Sequence, residues 1–227
     1  MSASLTLVIA NKNYSSWSSR PWLAMTELGI AFQERMIKFE SDDWAQNIAT
    51  LSPSRLVPVL WEGEPGKGFA TFDTLAIIER LHELFPDGGV WPRDAKARAR
   101  ARSLAADFHA GYRALRGAMP MNLRGRYPGK GMSPEVAQDI ERLTGHWTRT
   151  RREFGREGRF LFGAYCAADA YFTPVASRFV TYGVPLEGEA HSYQETLLGT
   201  ASFAAWRTAA LAETEFVAAD EPYAPPR

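Results

Sequence analysis

The sequence predicts a small α/β unit followed by an all-helical one. Three observations carry this. A short β-rich apolar run, Leu5 to Ala10, opens a regular alternation of strand and helix signals over the first 85 residues. The cluster Pro86-Asp87-Gly88-Gly89 interrupts that alternation. From Arg93 onward the composition turns Ala- and Arg-rich with helical periodicity, and no further strand pattern is found.

Each element has a local reason. After the first strand, a helix is expected from about Ser18 to Leu28, with Pro21 in its tolerated first turn and Gly29 just past its end. Phe32 to Phe39 reads as a second strand. Ser41-Asp42-Asp43 starts a short helix over Trp44 to Leu51. Val57 to Trp61 is a third strand with proline at its edge, and Glu62 to Gly68 is a turn cluster. Phe69 to Phe72 is its hairpin partner, and Asp73 caps a helix through TLAIIERLHELF. The order is β-α-β-α-β-β-α.

In the second unit, Leu104, Phe108, Gly111 and Leu115 fall on one stripe of a long helix. Helices are expected over Glu135 to Phe154, Ala167 to Tyr182 (kinked at Pro174) and Phe203 to Ala212. The tail, 220–227, reads as an extended strap.

Composition excludes several classes. Lys plus Arg and Asp plus Glu are 26 each, so the balance offers no general attraction to polyanions. The basic run RDAKARARAR alternates with alanine and reads as a solvated helix face rather than a nucleic-acid contact. One cysteine, Cys166, forbids an internal disulfide and a cysteine-rich metal site. The four histidines are scattered singly, so no metal is expected. No apolar stretch approaches the ~20 residues that span a bilayer. The N-terminus lacks a signal-peptide pattern. A cytoplasmic protein without membrane or nucleic-acid partners is the expectation. G-x-S-x-G, phosphate-loop and dinucleotide-loop patterns are all missing.

The chemistry-bearing stretch is NKNYSSWSSRPW, Asn11 to Trp22. Hydroxyls between a strand and a helix either start the helix or do chemistry there. The element order, with Ser15-Ser16-Trp17-Ser18 where a redox protein would carry C-x-x-C, is similar to a thioredoxin-like domain. Val57-Pro58 stands before a short strand, and Phe72-Asp73-Thr74 opens the last helix of that unit. Together with FGAYCAADAYFTPV in the helical unit, these residues make the chain resemble a cytosolic glutathione S-transferase. YSSWSSRPW is similar to the serine-dependent branch of that family rather than the tyrosine or cysteine branches.

The resemblance implies a thioredoxin-like glutathione-binding domain over 1–86. It implies an all-helical domain over 93–227 that supplies the acceptor pocket. Ser15 matches the family's active-site serine, with Ser16 the close second candidate. Val57 is similar to the residue whose backbone pairs with glutathione, presented by a cis Pro58. Asp73 and Thr74 would hold the γ-glutamyl end. Arg55 stands near the place of a family lysine for the glycyl carboxylate. Asp169 matches a helix-start aspartate, and Cys166 stands where the family has Ser or Thr.

Trp17 could line the acceptor pocket or simply pack. His109, Tyr112, Arg113 and Arg116 form a polar stripe that either walls that pocket or is a solvated flank. The implied activity is conjugation of glutathione, as co-substrate, to small hydrophobic electrophiles, by a homodimer. Two alternatives stay open: a glutathione-dependent isomerase similar to maleylacetoacetate isomerase, and a non-catalytic binding module on the same fold.

Overall fold

The computed structural model describes residues 4–225; 1–3 and 226–227, which include the end of the expected strap, lie outside the described residues. The first half builds β1 (Leu5–Ile9), α1 (Ser16–Glu27), β2 (Gln33–Met36), α2 (Asp42–Leu51), β3 (Val59–Glu62), β4 (Phe69–Phe72) and α3 (Thr74–Leu84). The sheet order is β2-β1-β3-β4, parallel between β1 and β2 and antiparallel elsewhere. This is the thioredoxin-like arrangement. The second half contributes α4 (Ala95–Ala110), α5 (Arg113–Ala118), α6 (Pro134–Phe154), α7 (Ala167–Tyr182), α8 (Gly188–Leu198) and α9 (Ala201–Ala212), then a 3₁₀ turn at Ala218–Asp220. Among the described residues, no helix is long and apolar enough to cross a membrane.

Alternate residues of a strand face opposite sides of its sheet. Leu7, Ile9 and Leu60 therefore join α1, α3 and the helical half in one core, while Val8, Val59 and Trp61 meet Ile48 and Leu51 of α2 on the other side. The larger core runs without a break from β1 to α9. α7 is buried along nearly its whole length and lies against α1. Its start is held by Asp169: one carboxylate oxygen accepts from Cys166 N at 2.9 Å, the other from Leu161 N at 3.0 Å and Tyr193 Oη at 2.8 Å.

Four expectations change. α1 begins at Ser16, two residues early, so Pro21 lies inside the helix rather than in its first turn. β2 is half its expected length, its outer part an exposed edge strand. The long helix stops at Ala110 because Tyr112 is left-handed (φ 56°), and α5 starts anew; Arg116 Nη1 takes the freed carbonyls of His109 and Gly111, both at 3.0 Å. α8 went unanticipated. The basic face of α4 is partly ion-paired, Arg102 to Glu79 and Arg100 to Glu153.

Candidate active site at the junction of the two halves

Residues 11–20 are polar yet almost entirely buried. Buried polar groups need partners, and here these come largely from the far end of the chain. Glu213 accepts from Lys12 N and Asn13 N, at 2.7 and 3.1 Å. Trp206 Nε1 donates to Lys12 O. The Tyr14 hydroxyl donates to Glu221 at 2.7 Å, and burial with Glu221 pushes its pKa up. Tyr14 is thus a structural phenol with its proton committed.

The two serines differ. Ser15 is the N-cap of α1: its Oγ accepts from Ser18 N (3.4 Å) and donates to Ser18 Oγ (2.7 Å). Ser16 Oγ instead accepts from Arg178 Nη2 of α7 at 2.9 Å, which leaves its own hydrogen free to donate. Both serines line a cavity of about 570 Å³, with Trp17, Arg113, Arg116 and Arg178.

Pro21 has no N–H, so the carbonyl four residues earlier, Trp17 O, lacks its helical donor. Thr74 Oγ1 supplies one at 3.1 Å, tying the start of α3 to the start of α1. Asp73 caps α3 through Leu75 N (2.8 Å) from a left-handed backbone, φ 76°. A non-glycine residue held there costs of order 1–3 kcal/mol, and such strain gathers at functional sites. The other Asp73 oxygen meets His109 Nε2 at 3.2 Å, and His109 Nδ1 pairs with Tyr171 Oη at 2.9 Å.

The Val57–Pro58 peptide is cis. Val57, Pro58, Asp73, Thr74, Trp17 and His109 line a second cavity of about 430 Å³. The two cavities share Trp17, Leu56, Val57 and Arg116, so they form one cleft. The Trp17 ring carries two guanidinium groups, Arg20 at 4.3 Å and Arg116 at 4.8 Å from its centroid.

The structure gathers Ser15, Ser16, Trp17, Val57, Pro58, Asp73, Thr74, His109 and Arg116 around this cleft. Trp17 both packs and lines it. Two expected residues are elsewhere. Arg55 is exposed and lines neither cavity. Tyr112 is 3% exposed, stacks on Phe108 and donates to Asp107 at 2.9 Å, so it is no part of the pocket wall. The break at Gly111 turns it away from the stripe it was expected to share.

Three groups were not anticipated. Arg178 is 5% exposed, and burial lowers its pKa to about 10. Arg20 is fully buried, with its pKa lowered to about 9 by the same cause; it donates to Ser16 O and Tyr171 O. Asp220, in the 3₁₀ turn, lines the larger cavity, and burial pushes it up to about 6. A signal for Arg178 was present: it is the only cation in the apolar run of α7.

Comparison with known proteins bears on the fold. Residues 14–84 match the family model for the glutathione S-transferase N-terminal domain. The chain is similar to a glutathione transferase homologue from Burkholderia gl BGR1 with bound glutathione (23% identity, 92% of this chain and 100% of that one, TM-score 0.68). It is also similar to glutathione transferase Omega 2C from Trametes versicolor (20% identity, 90% and 93%, TM-score 0.65). A third is the Tau class glutathione S-transferase of mango, Mangifera indica (15% identity, 92% and 96%, TM-score 0.64). No curated protein matches the chain by sequence. The fold is that of glutathione transferases.

Proposed function

We propose that this chain binds glutathione in the cleft between β4, α3 and α1 and transfers its thiolate to an electrophilic carbon in the larger adjoining cavity. One observation carries the reading. The hydroxyls at the start of α1, the cis Val57–Pro58 peptide and the strained cap Asp73 converge on one cleft.

A free thiol with pKa ~8.5 is only about 3% ionised at pH 7. Lowering that pKa by ~2 units needs about 2.7 kcal/mol of preference for the thiolate. A hydrogen bond to an anion contributes roughly 1.5–3 kcal/mol, and the α1 N-terminus roughly 0.3–1 kcal/mol. Ser16 is the donor to the sulfur. Arg178 N–H occupies one lone pair of its oxygen, leaving the hydroxyl hydrogen for the ligand. Ser15 stays the cap. The Val57 backbone pairs with the cysteinyl part, Asp73 holds the γ-glutamyl ammonium, and the Thr74 amide at the start of α3 holds its carboxylate. The sulfur forms a bond to the electrophilic carbon, and the leaving group departs with its electron pair.

The test is the ultraviolet difference spectrum of the protein with saturating glutathione, titrated over pH, followed by product mass. Thiolate absorbance below pH 7 and a product heavier by glutathione are expected. Unchanged substrate mass would move the reading to an isomerase. Absence of both binding and thiolate would leave only a binding module.

A further inference from the structure

The larger cavity is strongly cationic for a pocket meant to take an apolar compound. Three arginines line it, Arg113 and Arg116 from α5 and Arg178 from α7, against one acid, Asp220. Arg178 is the unusual one. An arginine fork carries five N–H donors. Here Nη2 bonds Ser16 Oγ, while the buried Nε and Nη1 meet no acceptor among the described residues. Arg178 forms no ion pair among the described residues either. Asp220 attracts it across the cavity without reaching it. A buried cation without a countercharge is costly to keep, and Arg178 lines the cavity, so an anion bound there would offset that cost. Arg116, by contrast, has its Nη1 on two backbone carbonyls, and Arg113 is exposed.

We infer that the electrophile carries a carboxylate, and that Arg178 receives it while Arg113 and Arg116 lend charge from the facing helix. A carboxylate matches because it brings the countercharge this site lacks and accepts charge-assisted hydrogen bonds from a guanidinium. The apolar lining from Trp17, Phe39, Trp44 and Met121 suits an aromatic or unsaturated body attached to it. The inference rests on the transferase reading for the word electrophile, but the anion site is testable without it.

The experiment is calorimetric titration of the full chain with two unreactive probes of one shape, 4-nitrobenzoate and neutral 4-nitrobenzamide. Wild type should bind the benzoate at least tenfold more tightly. Arg178→Met should erase that preference, and Arg178→Lys should restore part of it. Equal binding of the two probes by wild type overturns the inference without any variant, so a misfolded variant cannot rescue it. A preference that survives in folded Arg178→Met overturns it too. Because neither probe can be conjugated, the result is independent of catalysis. Wild type failing to conjugate either 1-chloro-2,4-dinitrobenzene or 4-chloro-3,5-dinitrobenzoate would instead overturn the transferase reading.

Discussion

Ser15 and Ser16 are neighbours in sequence, and their hydroxyls share no bonding partner. The first spends its hydroxyl on Ser18 and on the helix start; the second faces Arg178. Replacing Ser15 by alanine should therefore cost the cap, roughly 0.5–2 kcal/mol in urea unfolding, and leave the bound thiolate in place. Ser16→Ala should abolish thiolate absorbance below pH 7. Persistence of that absorbance in Ser16→Ala would sink the assignment. The kind of residue needed at this junction was legible in the sequence. Which serine is free was not, because it depends on Arg178, which is 162 positions away. The same holds for Arg55 and Tyr112, whose backbones are left-handed and carry their side chains away from the cleft.

Among the elements, those with caps and continuous apolar patterns were legible: α3 behind Asp73, α6 behind Ser133-Pro134, α7 behind Cys166. α8 was not, since no side chain caps it. The broken α4–α5 pair reads as one helix in any periodicity because the stripe continues through the break. α7 depends on Asp169 more than on its weak thiol cap. Asp169→Ala would strand the Leu161 and Cys166 amides and the Tyr193 hydroxyl. An unmet buried group costs about 1–3 kcal/mol, so a loss of about 3 kcal/mol or more is expected by chemical denaturation. A loss below 1 kcal/mol would refute that role. Burial pushes the Asp169 pKa up to about 6. A raised carboxyl contributes stability that is complete below its unfolded value near 4 and fades as pH rises through about 6. In wild type this contribution should shrink between pH 4 and 7, and Asp169→Ala should lack that segment of the profile.

For the molecule as a whole, the sequence indicated the order of the two halves but not how they join. The joint combines the packing of α7 on α1 with bonds between residues about 200 positions apart, and no local pattern encodes either. The homodimer that the resemblance implies has a candidate contact in Phe69 on edge strand β4, a large apolar ring 64% exposed at a free sheet edge. Sedimentation equilibrium should give twice the chain mass, and Phe69→Ser should shift it toward one. A wild-type monomer at micromolar concentration would rule the dimer out.

The buried polar run at residues 11–14 has a consequence for biosynthesis. Its partners Glu213, Glu215 and Glu221 are translated about 200 residues after it. Until residues 213–221 have emerged from the ribosome, the strand-to-helix corner that presents Ser15 and Ser16 lacks these partners. The cleft is therefore completed only when the segment after α9 reaches a corner synthesised about 200 residues earlier.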